Sequence, residues 1–273
     1  MWHGFYVLLA AALWSTIGVA SSFGQDVSLM ALVRSIVAGA IALLVFRSLS
    51  RPSLIAGLLL GLLFSSYPLA AITAGVGAAA FLLYTAPLWS TLSALAYGER
   101  PSRYALAGAL LILISATIMG YEARGGSLNP LGFLFGLLSG ITYGLYISAA
   151  RYYSRRGFHR EVSVGAMPFT LVVTVPIGLY HLAFGMPGDL VRAGIAGAYL
   201  AVFCTLLPYW LFSMGVKYIK ASTASVLASL EPVLAAVWGL LLFSEEITPL
   251  LAASYGLILI ALLISSLERE ESS

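Results

Sequence analysis

Charge is scarce in this chain: only 9% of its 273 residues are Asp, Glu, Lys or Arg, against about 25% in soluble domains. With so few charged groups to face water, a soluble fold is excluded. Cysteine occurs once, as Cys204 inside an apolar run, which rules out an internal disulfide and leaves the residue as a small buried hydrophobe. The three histidines, His3, His159 and His181, fall at the ends of apolar runs or between them. Neither an HExxH motif nor a Gly-rich phosphate loop is present. These absences argue against an intramembrane enzyme, and no metal or other cofactor is expected. Long polar loops are missing too, which disfavours a receptor or scaffold, and no nucleic-acid partner is expected.

What fills the chain is apolar sequence, 60% of it. A membrane-spanning helix needs about 20 mostly apolar residues. Breaks at charged, Pro and Gly-rich points divide the sequence into ten spans, near residues 4–22, 27–46, 53–71, 76–97, 104–121, 131–150, 162–182, 191–213, 221–243 and 248–266. The expected fold class is therefore an all-α integral membrane protein whose partners are the lipid bilayer and a small-molecule substrate. The first span starts near Met1 without a basic leader and reads as a retained helix.

Basic residues test the span count. With the amino terminus inside, the inner segments hold Arg47, Arg51, Arg100, Arg103, Arg151, Arg155, Arg156, Arg160, Lys217, Lys220 and Arg269, and the outer loops only Arg124 and Arg192. A missed or invented helix would scramble that alternation, so the bias predicts a multi-pass protein of the cell membrane with both termini cytoplasmic. Tyr97, Tyr104, Tyr121, Tyr152, Tyr153 and Tyr218 fall at span ends, as interfacial anchors do.

The second half of the chain repeats the first. Gly4–Trp14 matches Gly132–Tyr143, Asp26-Val27-Ser28 matches Glu161-Val162-Ser163, Pro68 pairs with Pro208, Pro87 with Pro232, and Gly98-Glu99 with Ser244-Glu245. The shared order of these matches carries the argument. An odd number of spans per half turns the second half upside down, so residues 1–125 and 126–273 are expected to form two inverted five-helix repeats with a midplane site where they meet.

Residues 78–87 (AAAFLLYTAP) running to Glu99, and Ser222-Thr223-Ala224-Ser225 through Leu230-Glu231-Pro232 to Glu245, resemble the paired signature of the EamA family of the drug/metabolite transporter superfamily. Leu13-Trp14-Ser15-Thr16 also resembles the YddG-type amino-acid exporters of that superfamily. The resemblance implies ten helices, a central cavity and transport of amino acids, other metabolites or toxic analogues. Export of amino acids or related amphipathic compounds by alternating access is the leading expectation. Multidrug or cationic efflux is the alternative, and a channel or lipid scramblase ranks behind both. A homodimer is among the assemblies open to such a chain.

Two charges lie deep in the spans, Arg34 in span 2 and Glu231 in span 9. By helical rise Glu231 sits roughly 15 Å from the cytoplasmic end and Arg34 about 10 Å below the outer surface. Either would cost at least about 2.5 kcal/mol in lipid, so each should face protein or a wet cavity. Their repeat mates are Phe169 for Arg34 and Ala86 for Glu231, so architecture alone does not require the charges. Glu231 is the candidate for proton coupling or for an amine contact. Arg34 is the candidate for docking a substrate carboxylate, or for pairing with Glu231.

Pro68, Pro87, Pro208 and Pro232 each remove a backbone donor and are expected helix breaks beside the cavity. Polar and aromatic side chains near them, Trp14, Ser15, Tyr67, Tyr84, Thr85, Trp89, Tyr143, Tyr146, Tyr209, Trp210 and Trp238, are candidates to line it with Glu231. Gly132, Gly136, Gly140 and Gly144 in span 6, and Gly57 and Gly61 in span 3, align small residues for close helix packing. Glu99 and Glu245 are expected to cap spans 5 and 10 or to pair with loop groups.

Overall fold

A hydrocarbon environment demands that every backbone donor and acceptor find a partner within the protein, and unbroken helices do this most simply. A computed structural model describes residues 3–46, 50–122, 129–185, 187–244 and 246–267. Arg47, Arg124, Glu245 and Arg269, and the expected boundary between the halves, lie outside the described residues. Among these residues there are ten helices long and apolar enough to cross a bilayer and no strand. They are span 1 (Gly4–Gly24), span 2 (Val27–Val45), span 3 (Arg51–Ala74), span 4 (Ala78–Ala96), span 5 (Arg103–Glu122), span 6 (Pro130–Ser154), span 7 (Val164–Phe184), span 8 (Leu190–Val216), span 9 (Ala221–Phe243) and span 10 (Pro249–Ser266). The protein is an all-α, multi-pass membrane protein. Each span lies within a few residues of the stretch read from hydropathy.

Polar caps set the span starts. Asp26 accepts from the Leu29 amide at 3.0 Å, Asn129 from Leu131, Asp189 from Val191 and Arg192, and Thr248 from Leu251. Proline follows at the start of spans 3, 6 and 10, where its missing N–H has no helical role to lose.

Small residues bring the helices together, as expected where lipid tails are as apolar as the side chains and packing must come from close approach. Span 6 lies against spans 3 and 4, and span 3 also against span 7. Span 8 lies against spans 1 and 2, span 2 against span 7, and span 5 against span 10. A methyl group on Gly140 would overlap the Leu82 carbonyl and the Thr85 hydroxyl, one on Gly144 the Trp89 side chain, and one on Gly57 the Ala166 carbonyl. The glycine rows of spans 3 and 6 are thus packing surfaces. One core joins Val7, Trp14, Phe64, Tyr146, Met167, Tyr209 and Phe212, while a second, around Ile112, Val226 and Ile258, seats spans 5 and 10.

Span 7 opens with a 3-10 turn, Val164–Ala166, and four other spans depart from regular helix along their length. Span 1 breaks after Trp14 and resumes at Ile17, span 4 breaks between Leu83 and Ala86, and span 9 between Ala228 and Glu231. Span 8 passes through five residues of π-helix, Val202–Leu206, just ahead of Pro208. Pro87 and Pro232 therefore open second half-helices as expected. Pro68 is corrected: the helix Arg51–Ala74 runs through it. A single proline removes only one amide from that ladder, and span 3 is held along its length by spans 6 and 7.

These contacts yield a paired prediction. Gly140→Ala should lower stability by about 1–3 kcal/mol through forced separation of spans 4 and 6. Gly18→Ala, where a methyl meets nothing within 4 Å, should instead add roughly 0.5–1 kcal/mol. Thermal unfolding of the purified protein in one detergent measures both.

Candidate functional site

Proline at 208 cannot donate to the carbonyl of residue 204, one turn earlier. The π-helical turn widens the backbone at the same place, and such turns are frequent at functional sites. Arg34 of span 2 answers both. Its Nη2 donates to the Cys204 carbonyl at 3.1 Å and its Nε to the Thr205 hydroxyl at 2.5 Å, while that hydroxyl donates to the Leu200 carbonyl at 2.7 Å. The guanidinium lies 3.7 Å from the centroid of the Phe64 ring and also interacts with the Tyr209 hydroxyl. Arg34 is 8% exposed. Among the described residues it forms no direct ion pair with Glu231, and the two charges interact only through space.

Glu231 occupies the first turn of the half-helix Glu231–Phe243, where the positive end of the helix dipole meets a carboxylate. It keeps part of its surface accessible. It lies within electrostatic range of Tyr67, Tyr84, Tyr143, Tyr209, Cys204 and Arg34, groups supplied by spans 2, 3, 4, 6 and 8. The half-helix it begins is the most loosely packed element near the centre, with only Pro232 and Gly239 buried.

Aromatic rings gather beside it. Trp14 lies 5.1 Å from Tyr209, 5.7 Å from Phe212 and 6.2 Å from Tyr143 between ring centroids, and Tyr209 contacts both Phe64 and Tyr146. The Trp14 indole N–H is buried and meets no acceptor among the described residues. A buried donor left unmet costs about 1–3 kcal/mol, which a ligand oxygen would recover. Ser15 accepts from the Trp238 indole at 3.0 Å, joining span 1 to the loose half-helix of span 9.

The other candidates divide. Tyr84 is buried near Glu231 but packs into the smaller core with Ile112 and Ile258. Thr85 donates to the Leu82 carbonyl and accepts from the Trp89 indole, and Trp89 lies against Gly144 at the junction of spans 4 and 6. Tyr146 is fully buried and its hydroxyl donates to the Val162 carbonyl. Trp210 is 40% exposed and is absent from the ring contacts around Trp14. Sequence reasoning passed over Phe64, Phe212 and Thr205. Pro208 implies an orphan carbonyl at Cys204, but its donor is Arg34 and the Thr205 hydroxyl turns to Leu200, so the sequence carries no signal for Thr205.

Carboxylates tie the ends of the spans. Glu99 accepts from Arg151 Nε at 3.2 Å and from the Ala221 amide at 3.2 Å, while Arg151 Nη1 donates to the carbonyls of Val216 and Lys217. This joins the ends of spans 4, 6 and 8 to the start of span 9, so Glu99 caps span 9 rather than the expected span 5. At the opposite end Asp26 accepts from the Gly188 amide at 2.9 Å and meets His181 Nε2 at 3.0 Å.

Burial pushes the Asp26 carboxyl up, but hydrogen bonds from the Leu29 and Gly188 amides and from His181 outweigh it, so it titrates below its ordinary 3.8. A carboxyl depressed in the folded state stabilises fully above its unfolded pKa, and that contribution is lost as pH falls through the folded value. Unfolding midpoints should therefore fall below about pH 5, and Asp26→Asn should flatten that limb. For Arg34, Arg34→Lys should lower stability by roughly 1–3 kcal/mol, because one ammonium cannot hold both Thr205 and the Cys204 carbonyl. A substrate-docking role alone would instead change the transport KM and leave unfolding unmoved.

The sequence profile of the "EamA-like transporter family" matches residues 130–267. A protein of Archaeoglobus fulgidus described as an uncharacterized transporter is 29% identical over 256 residues, covering 89% of this chain and 88% of that protein. The uncharacterized transporter YdfC of Bacillus subtilis is 27% identical over 178 residues, 63% of this chain and 56% of its own length. A solved structure titled only as a protein crystal structure superposes with a TM-score of 0.79 at 22% identity, over 97% of this chain and 98% of that one. At that identity the likeness bears on the fold alone.

Proposed function

Since this chain belongs to the EamA-like transporter family, and so to the drug/metabolite transporter superfamily, we propose that it is a secondary carrier for amine-bearing amphipathic metabolites, amino acids foremost. It is a transporter and not an enzyme, with a small molecule as its substrate. The observation that carries the substrate reading is Glu231: a partly accessible carboxylate at a half-helix start, within electrostatic range of Tyr67, Tyr84, Tyr143 and Tyr209. A carboxylate in a region rich in tyrosine suits an ammonium group, which can gain from both kinds of side chain. The unmet indole N–H of Trp14 suits an oxygen acceptor at the other end of the same ligand.

Export by alternating access fits a site between two inverted halves. The pairing of spans supports that arrangement: exchanging each span with the one five places on converts span 3 against span 6 into span 8 against span 1, and span 3 against span 7 into span 8 against span 2. The basic ends of spans 4, 6 and 8 support cytoplasmic termini in a cell membrane. One observation favours cationic efflux as a second reading. Arg34 is held by the Cys204 carbonyl, Thr205 and Phe64, which leaves Glu231 as the charge offered to a ligand.

Reconstitution in proteoliposomes tests both. Amino acids, nucleosides and quaternary amines are screened for saturable uptake and counterflow, with and without a pH gradient. Saturable, counterflow-competent flux of amino acids, reduced tenfold or more by Glu231→Gln, is the expected result. Flux confined to quaternary amines would select the second reading, and an unaltered rate and pH profile in Glu231→Gln would remove Glu231 from the mechanism.

A further inference from the structure

The first half of span 9, Ala221–Ala228, is buried at all eight of its positions, whereas Glu231–Phe243 beyond the break buries only Pro232 and Gly239. Spans 1, 4, 5, 6, 8 and 10 enclose it. By helical rise it covers about 15 Å, from Glu231 to the end of the molecule where Glu99 and Arg151 meet. It therefore fills the way between that face and the carboxylate.

Hydroxyl groups line its junction with the neighbouring spans. Ser90 of span 4 donates to the Ser225 hydroxyl at 2.8 Å, and the Ser93 and Ser148 hydroxyls of spans 4 and 6 meet at 2.6 Å. Bonds of this kind hold helices together. Two further hydroxyls do not: Thr91, beside Ser90, and Ser222, one turn before Ser225, are buried and meet no partner among the described residues. An apolar side chain of the same size would pack there without stranding a donor, and water would meet both groups once the junction parted.

We propose that the junction between span 4 and Ala221–Ala228 is the route from Glu231 to that face, and that Glu99 is the latch that keeps it shut. Lys220 gives this half-helix no side-chain cap, and the Ala221 amide donates instead to Glu99 Oε2 at 3.2 Å. Glu99 follows span 4, so a carboxylate carried by one wall of the route holds the other. Arg151 of span 6 fixes the Glu99 carboxylate at 3.2 Å. Loss of the amide contact frees the start of the half-helix, and the break at Ser229 and Leu230 supplies the hinge beside Glu231. The route rests on the carrier reading, but its opening can be followed without any flux, so a failure of one is distinguishable from a failure of the other.

The test places a thiol in the junction, Ser222→Cys, in the purified full chain in nanodiscs, and follows its reaction with a charged maleimide. The native chain, whose Cys204 is buried, is the blank. Glu99→Ala should speed labelling about tenfold, and Glu99→Gln, which keeps the shape and loses the charge, about threefold. Thr91→Val, which removes a donor stranded in the closed state, should slow it about threefold. Ser53→Cys, buried at the same end between spans 3 and 7, should keep its rate in all three variants. Unchanged labelling of Ser222→Cys in both Glu99 variants would overturn the proposal. So would an equal rise at Ser53→Cys, because Glu99 would then only stiffen the fold.

Discussion

Inside a bilayer a carbonyl that loses its helical partner has no water to turn to, and the breaks in spans 1, 4 and 9 and the π-turn of span 8 are each met by a donor from nearby. At the break in span 1, Ser15 donates to the Ala12 carbonyl and Thr16 to the Leu13 carbonyl. At the break in span 4, Thr85 donates to the Leu82 carbonyl, and in span 9 Ser229 donates to the Ser225 carbonyl. The Leu13 carbonyl also receives the Cys204 thiol of span 8, and at the π-turn of span 8 the donor from another span is an arginine. A neutral hydroxyl would suffice for one carbonyl. Arg34 reaches a carbonyl and a hydroxyl together and rests on an aromatic face, which ties span 2 to span 8 at the point where span 8 is weakest.

The same economy governs the ends. Asp26 gathers the start of span 2, the far end of span 7 and the approach to span 8, while Glu99 gathers spans 4, 6, 8 and 9 at the other face. Charged groups at these depths are matched by backbone amides and carbonyls as much as by opposite charges. Such ties can release without stranding a bare charge in lipid, because water reaches them at the interface. The alternating access proposed for this protein calls for joints of this kind.

Hydropathy and the alternation of basic loops made all ten spans legible, because both follow from how lipid excludes charge. Glycine spacing in spans 3 and 6 foretold close packing, since only a missing Cβ lets Leu82 and Ala166 approach so near. Proline was a weaker guide. Pro87 and Pro232 sit at real breaks, but Pro68 does not break its helix, because packing by neighbouring spans decides whether one lost amide matters. The partners of Arg34 and Glu99 were illegible for a different reason. Each lies far away in sequence, and a lone charge announces only that it needs a partner.

In the proposed repeat, counterpart residues differ where the spans differ in how closely they pack. In the register that pairs Gly4 with Gly132, span 1 carries Leu8, Ala12 and Thr16 where span 6 carries Gly136, Gly140 and Gly144. Glycine lets span 4 close on span 6 until its backbone and Trp89 lie in contact. Span 1 has no such glycines, and the half-helix beginning at Glu231 keeps most of its residues accessible and meets span 1 through Trp238 and Ser15. In the same proposed register Glu231 stands where Ala86 does, and Ala86 is buried. A carboxylate could not be accommodated there, and the looser junction is what permits one in span 9.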